Sequence, residues 1–330
     1  MRRANRFADT QPSELTGRLA EFAKSVQNPT MDFASPYPAL KKQNQTINME
    51  VISLQSGSNG NSFYVSVAGK QFLFDAGISG SVAEKRLALH GKDIRDIDGL
   101  FISHAHRDHC SAMGVFHRKY GHTLFITERT LNLARREHKL GVINKFQFFR
   151  SGETIDFGDV QVHTVPTPHD ADDSVAFIIE NQERRIGILT DIGHAFDGLC
   201  DILKLLDAVV IESNYCPEML RTSRYPIWLK RRVSGKGGHL SNEDSANAIR
   251  DSNAKLQWAC LCHLSQENNE PDLAIETHRR ILGDDLPLHI ASRHDVGDIL
   301  TLDYDVASRG PWKAQIKETQ VDESKQLSLF

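Results

Sequence analysis

From Met49 onward, short apolar runs bounded by turn residues alternate with stretches whose apolar positions recur every three or four residues. The runs predict a first strand over Glu50–Leu54 and further strands at 62–67, 71–75, 99–103, 123–127, 160–166, 174–179, 185–190, 208–211 and 256–262. Helical spacing predicts helices at 82–90, 110–120, 130–138, 196–205, 242–251 and 270–282. This alternation predicts an α/β catalytic domain over 49–302.

Residues 1–48 break the pattern. They hold Pro12, Pro29, Pro36 and Pro38 and one amphipathic helical stretch, in which Leu15, Leu19, Phe22, Ala23 and Val26 share a face. Arg2, Arg3 and Arg6 suggest a targeting peptide, but Asp9, Glu14 and Glu21 oppose it. Two readings stay open: translation from Met49, or a loosely ordered N-terminal extension. A native N-terminus at Met1 by mass spectrometry removes the first. Residues 303–330 read as a C-terminal tail, in which 314–325 is polar and flexible.

Composition narrows the class. The chain has 330 residues, enough for a sizeable core, and its net charge of -4 excludes a generally basic nucleic-acid binder. No apolar run approaches the roughly 20 residues that span a bilayer. Five cysteines form no spaced framework, so a reducing cytoplasm is expected. Cys260 and Cys262 precede His263 without a second pair to complete a zinc knuckle, and read as small residues of a buried strand. Cys110 is a weaker candidate ligand than its neighbours.

The strongest chemical signal is the run His104, His106, Asp108, His109, an H-x-H-x-D-H cluster between a strand and a helix. Imidazoles and a carboxylate this dense are expected to share positive ions rather than lie buried unpaired. His169, Asp191 and His263 each follow a predicted strand, at the edge where α/β folds gather active-site groups. His104, His106 and His169 would complete one site, and Asp108, His109 and His263 a second, with Asp191 bridging them. Imidazole and carboxylate donors without a thiolate suit two Zn²⁺ or Mn²⁺ ions per chain. Asp108 and Asp191 are the expected catalytic carboxylates.

Most of 49–283 resembles the metallo-β-lactamase superfamily, and within it the bacterial WalJ/YycJ-type branch. The resemblance rests on Ser56–Asn61, Phe74-Asp75-Ala76-Gly77, the H-x-H-x-D-H run, His169-Asp170-Ala171, Thr190-Asp191 and Glu212-Ser213-Asn214. Sharper still are Arg224-Tyr225-Pro226 with Lys230-Arg231-Arg232, Gly238–Asp244, and His263-Leu264-Ser265 with Asn268-Asn269. It implies a four-layer αβ/βα sandwich, a dinuclear metal centre and a 5′→3′ DNA exonuclease of repair and replication, mismatch repair included. Ser103 matches the Ser or Thr before the first metal histidine. Asp75 is expected to orient a ligand histidine, although a plain turn residue is an equal reading. His194 is given no role.

Between Ser213 and His239 stand Arg221, Arg224, Lys230, Arg231, Arg232 and Lys236 against one acid, Glu218, with Tyr225 and Trp228 among them. Beside a phosphodiesterase centre this basic loop reads as a nucleic-acid contact. Ser58, Asn61 and Ser241 join the expected phosphate-binding set. His239, in a glycine-flanked loop, is expected to act as general acid or phosphate clamp, against a plain loop histidine. Gln326, Leu327, Leu329 and Phe330 resemble the bacterial sliding-clamp-binding motif, against a tail folding onto its own domain.

Rival enzymes fit less. The chain between Asp191 and His239 is too short for the inserted domain of β-CASP ribonucleases, and no tRNA-binding arm is evident. A small-molecule hydrolase leaves the basic stretch and the tail motif unexplained, and a metal-binding regulatory scaffold does not need all seven ligands.

Overall fold

The computed structural model describes residues 49–182 and 184–302. The N-terminal extension, the tail and its clamp-like motif lie outside the described residues. The first half of the fold lays down β1 (Met49–Gln55), β2 (Ser62–Val67), β3 (Lys70–Phe74), β4 (Gly99–Phe101), β5 (Leu124–Ile126) and β6 (Phe146–Phe148). The second half supplies β7 (Thr154–Asp156), β8 (Val160–Pro166), β9 (Val175–Asn181), β10 (Arg184–Leu189), β11 (Ala208–Glu212), β12 (Trp258–Cys262) and β13 (Leu288–Ile290). β14 (Leu300–Leu302) then returns to pair with β1. Two seven-stranded sheets result, in the orders β14-β1-β2-β3-β4-β5-β6 and β13-β12-β11-β10-β9-β8-β7.

Side-chain alternation assembles the layers. Phe72 and Phe74 of β3 and Phe101 of β4 point between the sheets, where they meet Phe177, Val210 and Cys260. The intervening Leu73 and Leu100 point outward against α1 (Gly80–Leu89), α3 (Met113–Tyr120) and α4 (Glu128–Glu137), through Ala83, Leu87, Phe116 and Leu131. On the other sheet Val209 and Leu261 point outward toward α5 (Leu199–Lys204), α8 (Asn242–Ser252) and α9 (Pro271–Leu282), through Leu199, Ile249 and Ala274. A strand covered on both faces has period-2 partition but no polar face. The four layers are helix, sheet, sheet, helix.

Several expectations are corrected. The helix expected over 110–120 is two: α2 (Arg107–Cys110) begins inside the histidine run, and α3 follows at Met113. The helix expected from Phe196 starts only at Leu199, after Gly198 in the left-handed region. The basic loop contains α6 (Pro217–Thr222) and α7 (Ile227–Val233). The three-residue strands β6, β7, β13 and β14 are too short to show periodicity.

One buried histidine sets a pH dependence away from the centre. His278 on α9 donates from Nδ1 to the Ala274 carbonyl at 2.9 Å and meets Ser245 Oγ of α8 at 3.3 Å. Burial pushes its pKa down to about 4. The unfolded chain, near 6.5, takes up this proton first, so stability falls as pH drops from about 6.5 to about 4 and then levels. His278→Gln is expected to remove up to about 3 kcal/mol of that loss. Denaturant melts at pH 7.5 and 4.5 check it: an unchanged difference between the two pH values contradicts it.

Candidate metal centre

One sheet edge collects the chemistry. His104–His109 follow β4, Asp75 follows β3, His169 follows β8, Asp191 follows β10, Glu212 ends β11 and His263 follows β12. Asp75 (φ 65°), Asp191 (φ 49°) and His263 (φ 55°) all take the left-handed backbone region. Non-glycine residues there carry strain that the surrounding packing must hold, and such residues gather at functional sites.

The ligand loop is fastened by backbone contacts. Asn61 N–H donates to the Asp108 carbonyl at 2.7 Å, Gly77 N–H to Asn61 O at 2.9 Å, and Ala76 N–H to His109 O at 2.7 Å. Gly77 permits this approach, since a Cβ there would stand 1.7 Å from the Asp108 carbonyl oxygen.

Two groups of donors converge. His104 Nε2 and His169 Nε2 lie 3.0 and 3.1 Å from His106 Nδ1. Two nitrogens on one ion at about 2.1 Å are roughly 3.0–3.4 Å apart, so this spacing fits a shared cation. In the second group, His263 Nε2 and His109 Nε2 lie 3.3 and 3.5 Å from Asp108 Oδ2. Asp191 touches both groups: Oδ2 is 2.7 Å from His109 Nε2, and Oδ1 is 3.6 Å from His263 Nδ1 and 3.9 Å from His169 Nε2. Its buried Oδ2 has no hydrogen-bond partner, despite that close nitrogen. Such an orphaned carboxylate oxygen amid imidazoles fits a site built for cations.

The outer contacts aim the rings. Asp75 Oδ2 lies 2.7 Å from His109 Nδ1 and accepts from Ser103 Oγ at 2.9 Å, while Oδ1 accepts from Ser103 N–H. Ser103 Oγ also meets His104 Nδ1 at 2.9 Å, and His169 Nδ1 donates to the Gly238 carbonyl at 2.9 Å. Anchoring one ring nitrogen leaves the other for a metal.

Electrostatics follow the geometry. Burial lowers the pKa of His104, His106 and His169, that of His106 to about 4, so these imidazoles are neutral as ligands must be. Burial also opposes charge on His109, but Asp191, Asp75 and Asp108 outweigh it and raise its pKa. A divalent ion held there would answer the same acidic charge. No cysteine joins the donors: Cys110 Sγ donates to the Ala105 carbonyl, and Cys260 and Cys262 pack between the sheets.

His239 comes into the cluster. Its Nδ1 lies 2.6 Å from Glu212 Oε1 and 3.1 Å from Asp191 Oδ1. Burial is outweighed by Glu212 and Asp191, and its pKa rises to about 10. Glu212, quoted in the motif Glu212-Ser213-Asn214 but given no role there, is fully buried and also accepts from Ile192 N–H and Leu240 N–H. Beside that motif its signal was position, an acid closing an apolar strand at the same edge as the others. Asp170, likewise quoted beside His169 without a role, pairs with Arg232 at 2.7 Å and lies 3.5 Å from His169 Nε2.

Two expected phosphate contacts are corrected. Asn61 is buried, and its amide is spent on the Gly57 carbonyl, Asp108 and His109. Ser241 is buried as the N-cap of α8, in a reciprocal box with Asp244. Ser58 is exposed, as are Arg224, Arg231 and Lys236. Arg221 pairs with Glu218, and Lys230 donates to the Arg221 carbonyl. Trp228 is 65% exposed and Ile227 64%, although both open α7. Among the described residues no helix is long and apolar enough to cross a membrane.

A family model described as the Metallo-beta-lactamase superfamily matches residues 56–227. The chain is 37% identical over 224 residues to "Exodeoxyribonuclease YycJ" of Bacillus anthracis, a match covering 67% of this chain and 84% of that protein. It is likewise 37% identical to "Exodeoxyribonuclease WalJ" of Streptococcus pneumoniae serotype 2, covering 67% and 83%. Among solved structures, the metallo-beta-lactamase fold protein YhfI from Bacillus subtilis aligns with a TM-score of 0.59 at 14% identity, over 77% of this chain and 99% of that one. Zn(2+)-bound PqqB from Methylobacterium extorquens aligns at 0.56 and 17% identity, over 77% and 100%. At these identities the two structures speak for the fold alone.

Proposed function

The chain belongs to the metallo-β-lactamase superfamily, and on that premise we propose that it is a metal-dependent 5′→3′ exonuclease acting on DNA. The observation that carries the reading is the meeting of two donor groups at Asp191, with exposed cations and Trp228 on the neighbouring segment. The relatives' names favour DNA as the polymer.

In this reading His104, His106 and His169 hold one divalent ion, and Asp108, His109 and His263 the other, with Asp191 between them. Zn²⁺ or Mn²⁺ suits these donors and would supply a water of lowered pKa and neutralise phosphate charge. Asp75 and Ser103 orient His109 and His104. Glu212 holds His239 by Nδ1 and keeps it cationic, which leaves Nε2 to meet a phosphate oxygen or protonate a leaving oxygen. Arg224, Arg231, Lys236 and Ser58 offer charge or hydroxyl to the strand, and Trp228 a face for a base.

End-labelled DNA and RNA of one sequence, incubated with Mn²⁺ or Zn²⁺, test the assignment. Release of mononucleotides from the 5′ end of DNA is expected; cleavage of RNA alone would replace it with a ribonuclease.

The same reading extends to DNA repair and replication, mismatch repair included, with recruitment by a sliding clamp. Its support is the sequence of Gln326, Leu327, Leu329 and Phe330. Removing 326–330 should abolish clamp binding while hydrolysis of free DNA continues. Undiminished clamp affinity would end that part of the proposal.

A further inference from the structure

Arg293 belongs to none of the groups assigned above. It follows β13 in the chain and is half-buried. Its Nη1 donates to the Leu264 carbonyl at 2.7 Å, one residue beyond His263, and Nη2 makes a long contact of 3.4 Å to Gln266 Oε1. Its Nε is buried with no hydrogen-bond partner. The backbone is held too, since the Arg293 carbonyl accepts from Asn59 Nδ2 at 2.9 Å. Room for the guanidinium is made by Gly57 (φ 139°), where a Cβ would stand 2.5 Å from Nη1.

What Arg293 lacks is a counter-ion. Arg95, Arg184, Arg185 and Arg232 each reach a carboxylate at 3.2 Å or less. No carboxylate lies within ion-pair distance of Arg293 among the described residues. Withdrawing a cation from water without an anion is unfavourable, and a visiting anion relieves it. Burial lowers its pKa, and the acids close enough to act on it are Asp108 of the second donor group and Glu267. Through the Leu264 carbonyl, Arg293 stands next to His263 of the second donor group.

We infer that Arg293 is a strand-positioning residue that holds a backbone or terminal phosphate of the DNA end, through the Nη1 and Nη2 hydrogens that Leu264 and Gln266 leave free. This rests on the nuclease reading. A planar fork with donors to spare matches two phosphate oxygens, and a lysine in its place would supply charge without that match. The strand would then be gripped beside the linkage presented to Asp108, His109 and His263, and its register set there.

The test uses the full-length, metal-loaded protein and a short phosphorothioate-linked single strand that resists cleavage. Arg293→Gln is expected to weaken binding about 10–100-fold and to flatten the slope of log Kd against log salt by about 0.7. On cleavable DNA it should raise KM more than it lowers kcat, with melting temperature and bound metal at wild-type values. Arg293→Lys should restore the salt slope but only part of the affinity. A loss seen only with a 5′-phosphorylated strand identifies the terminal phosphate; a loss with a 5′-hydroxyl strand as well identifies an internal one.

Unchanged affinity and salt slope in folded Arg293→Gln would overturn the inference while leaving the nuclease intact. Should that variant fail to fold, wild-type affinity in Arg293→Lys overturns the fork contact. Conversely, if the wild type binds the strand with the Arg293-dependent slope yet cleaves no DNA, the nuclease reading falls and the phosphate site stands.

Discussion

Asp191→Asn is expected to lose essentially all hydrolysis, by about 10³-fold or more, together with metal from both donor groups. The residue is buried, sits in the left-handed region after β10, and faces His109, His239, His263 and His169 at 2.7, 3.1, 3.6 and 3.9 Å. Its carboxyl is held well below the ordinary range, because the histidines around it outweigh the burial that opposes its charge. Asparagine keeps the shape and removes the anion. The imidazoles then face one another with less negative charge between them, and a cation bound by either group loses an anionic donor. Turnover and elemental analysis on the same preparation check this. A variant that keeps both its metal and more than a tenth of wild-type turnover would show that Asp191 is not the shared ligand.

Gly77→Ala should damage the centre without touching a donor. A Cβ there meets the Asp108 carbonyl oxygen at 1.7 Å, its carbon at 2.3 Å and Asn61 N at 2.7 Å. All three are backbone atoms, so no rotamer change relieves the contact, and the loops carrying Asn61 and Asp108 must part. The bonds Asn61 N–H to Asp108 O and Gly77 N–H to Asn61 O are the ones at risk. Overpacking of this kind costs about 3 kcal/mol or more, and the displaced Asp108 should weaken metal binding as well. Denaturant unfolding with and without metal reads both effects. Wild-type stability and metal affinity together would mean that this close approach is not needed.

Much of the site was legible because its residues advertise themselves. The His104–His109 run is chemically conspicuous, and His169, Asp191 and His263 each close a run apolar enough to read as a strand. Asp75 was visible for the same reason, although only the contacts to Ser103 and His109 separate an orienting carboxylate from a turn residue. Glu212 stood in a quoted motif, but its role as the partner of His239 was illegible, because that contact joins segments 27 residues apart. α7 escaped because none of its residues is buried, so no apolar stripe marks it. Asn61 and Ser241 misled because small polar residues in loops serve both phosphates and backbone amides, and here folding claims them. Arg293 had no sequence signal at all, since its neighbours Gly57, Asn59, Leu264 and Gln266 come from two distant segments.

The central claim is that the two donor groups joined at Asp191 work as one two-ion phosphodiesterase centre. The most direct measurement titrates chelator-stripped protein with Mn²⁺ or Zn²⁺ while following hydrolysis of 5′-end-labelled DNA and the number of ions bound. Hydrolysis that is negligible without metal and reaches its plateau as the second ion binds is the expected result. Full turnover by the stripped protein, or none at any occupancy, would contradict it.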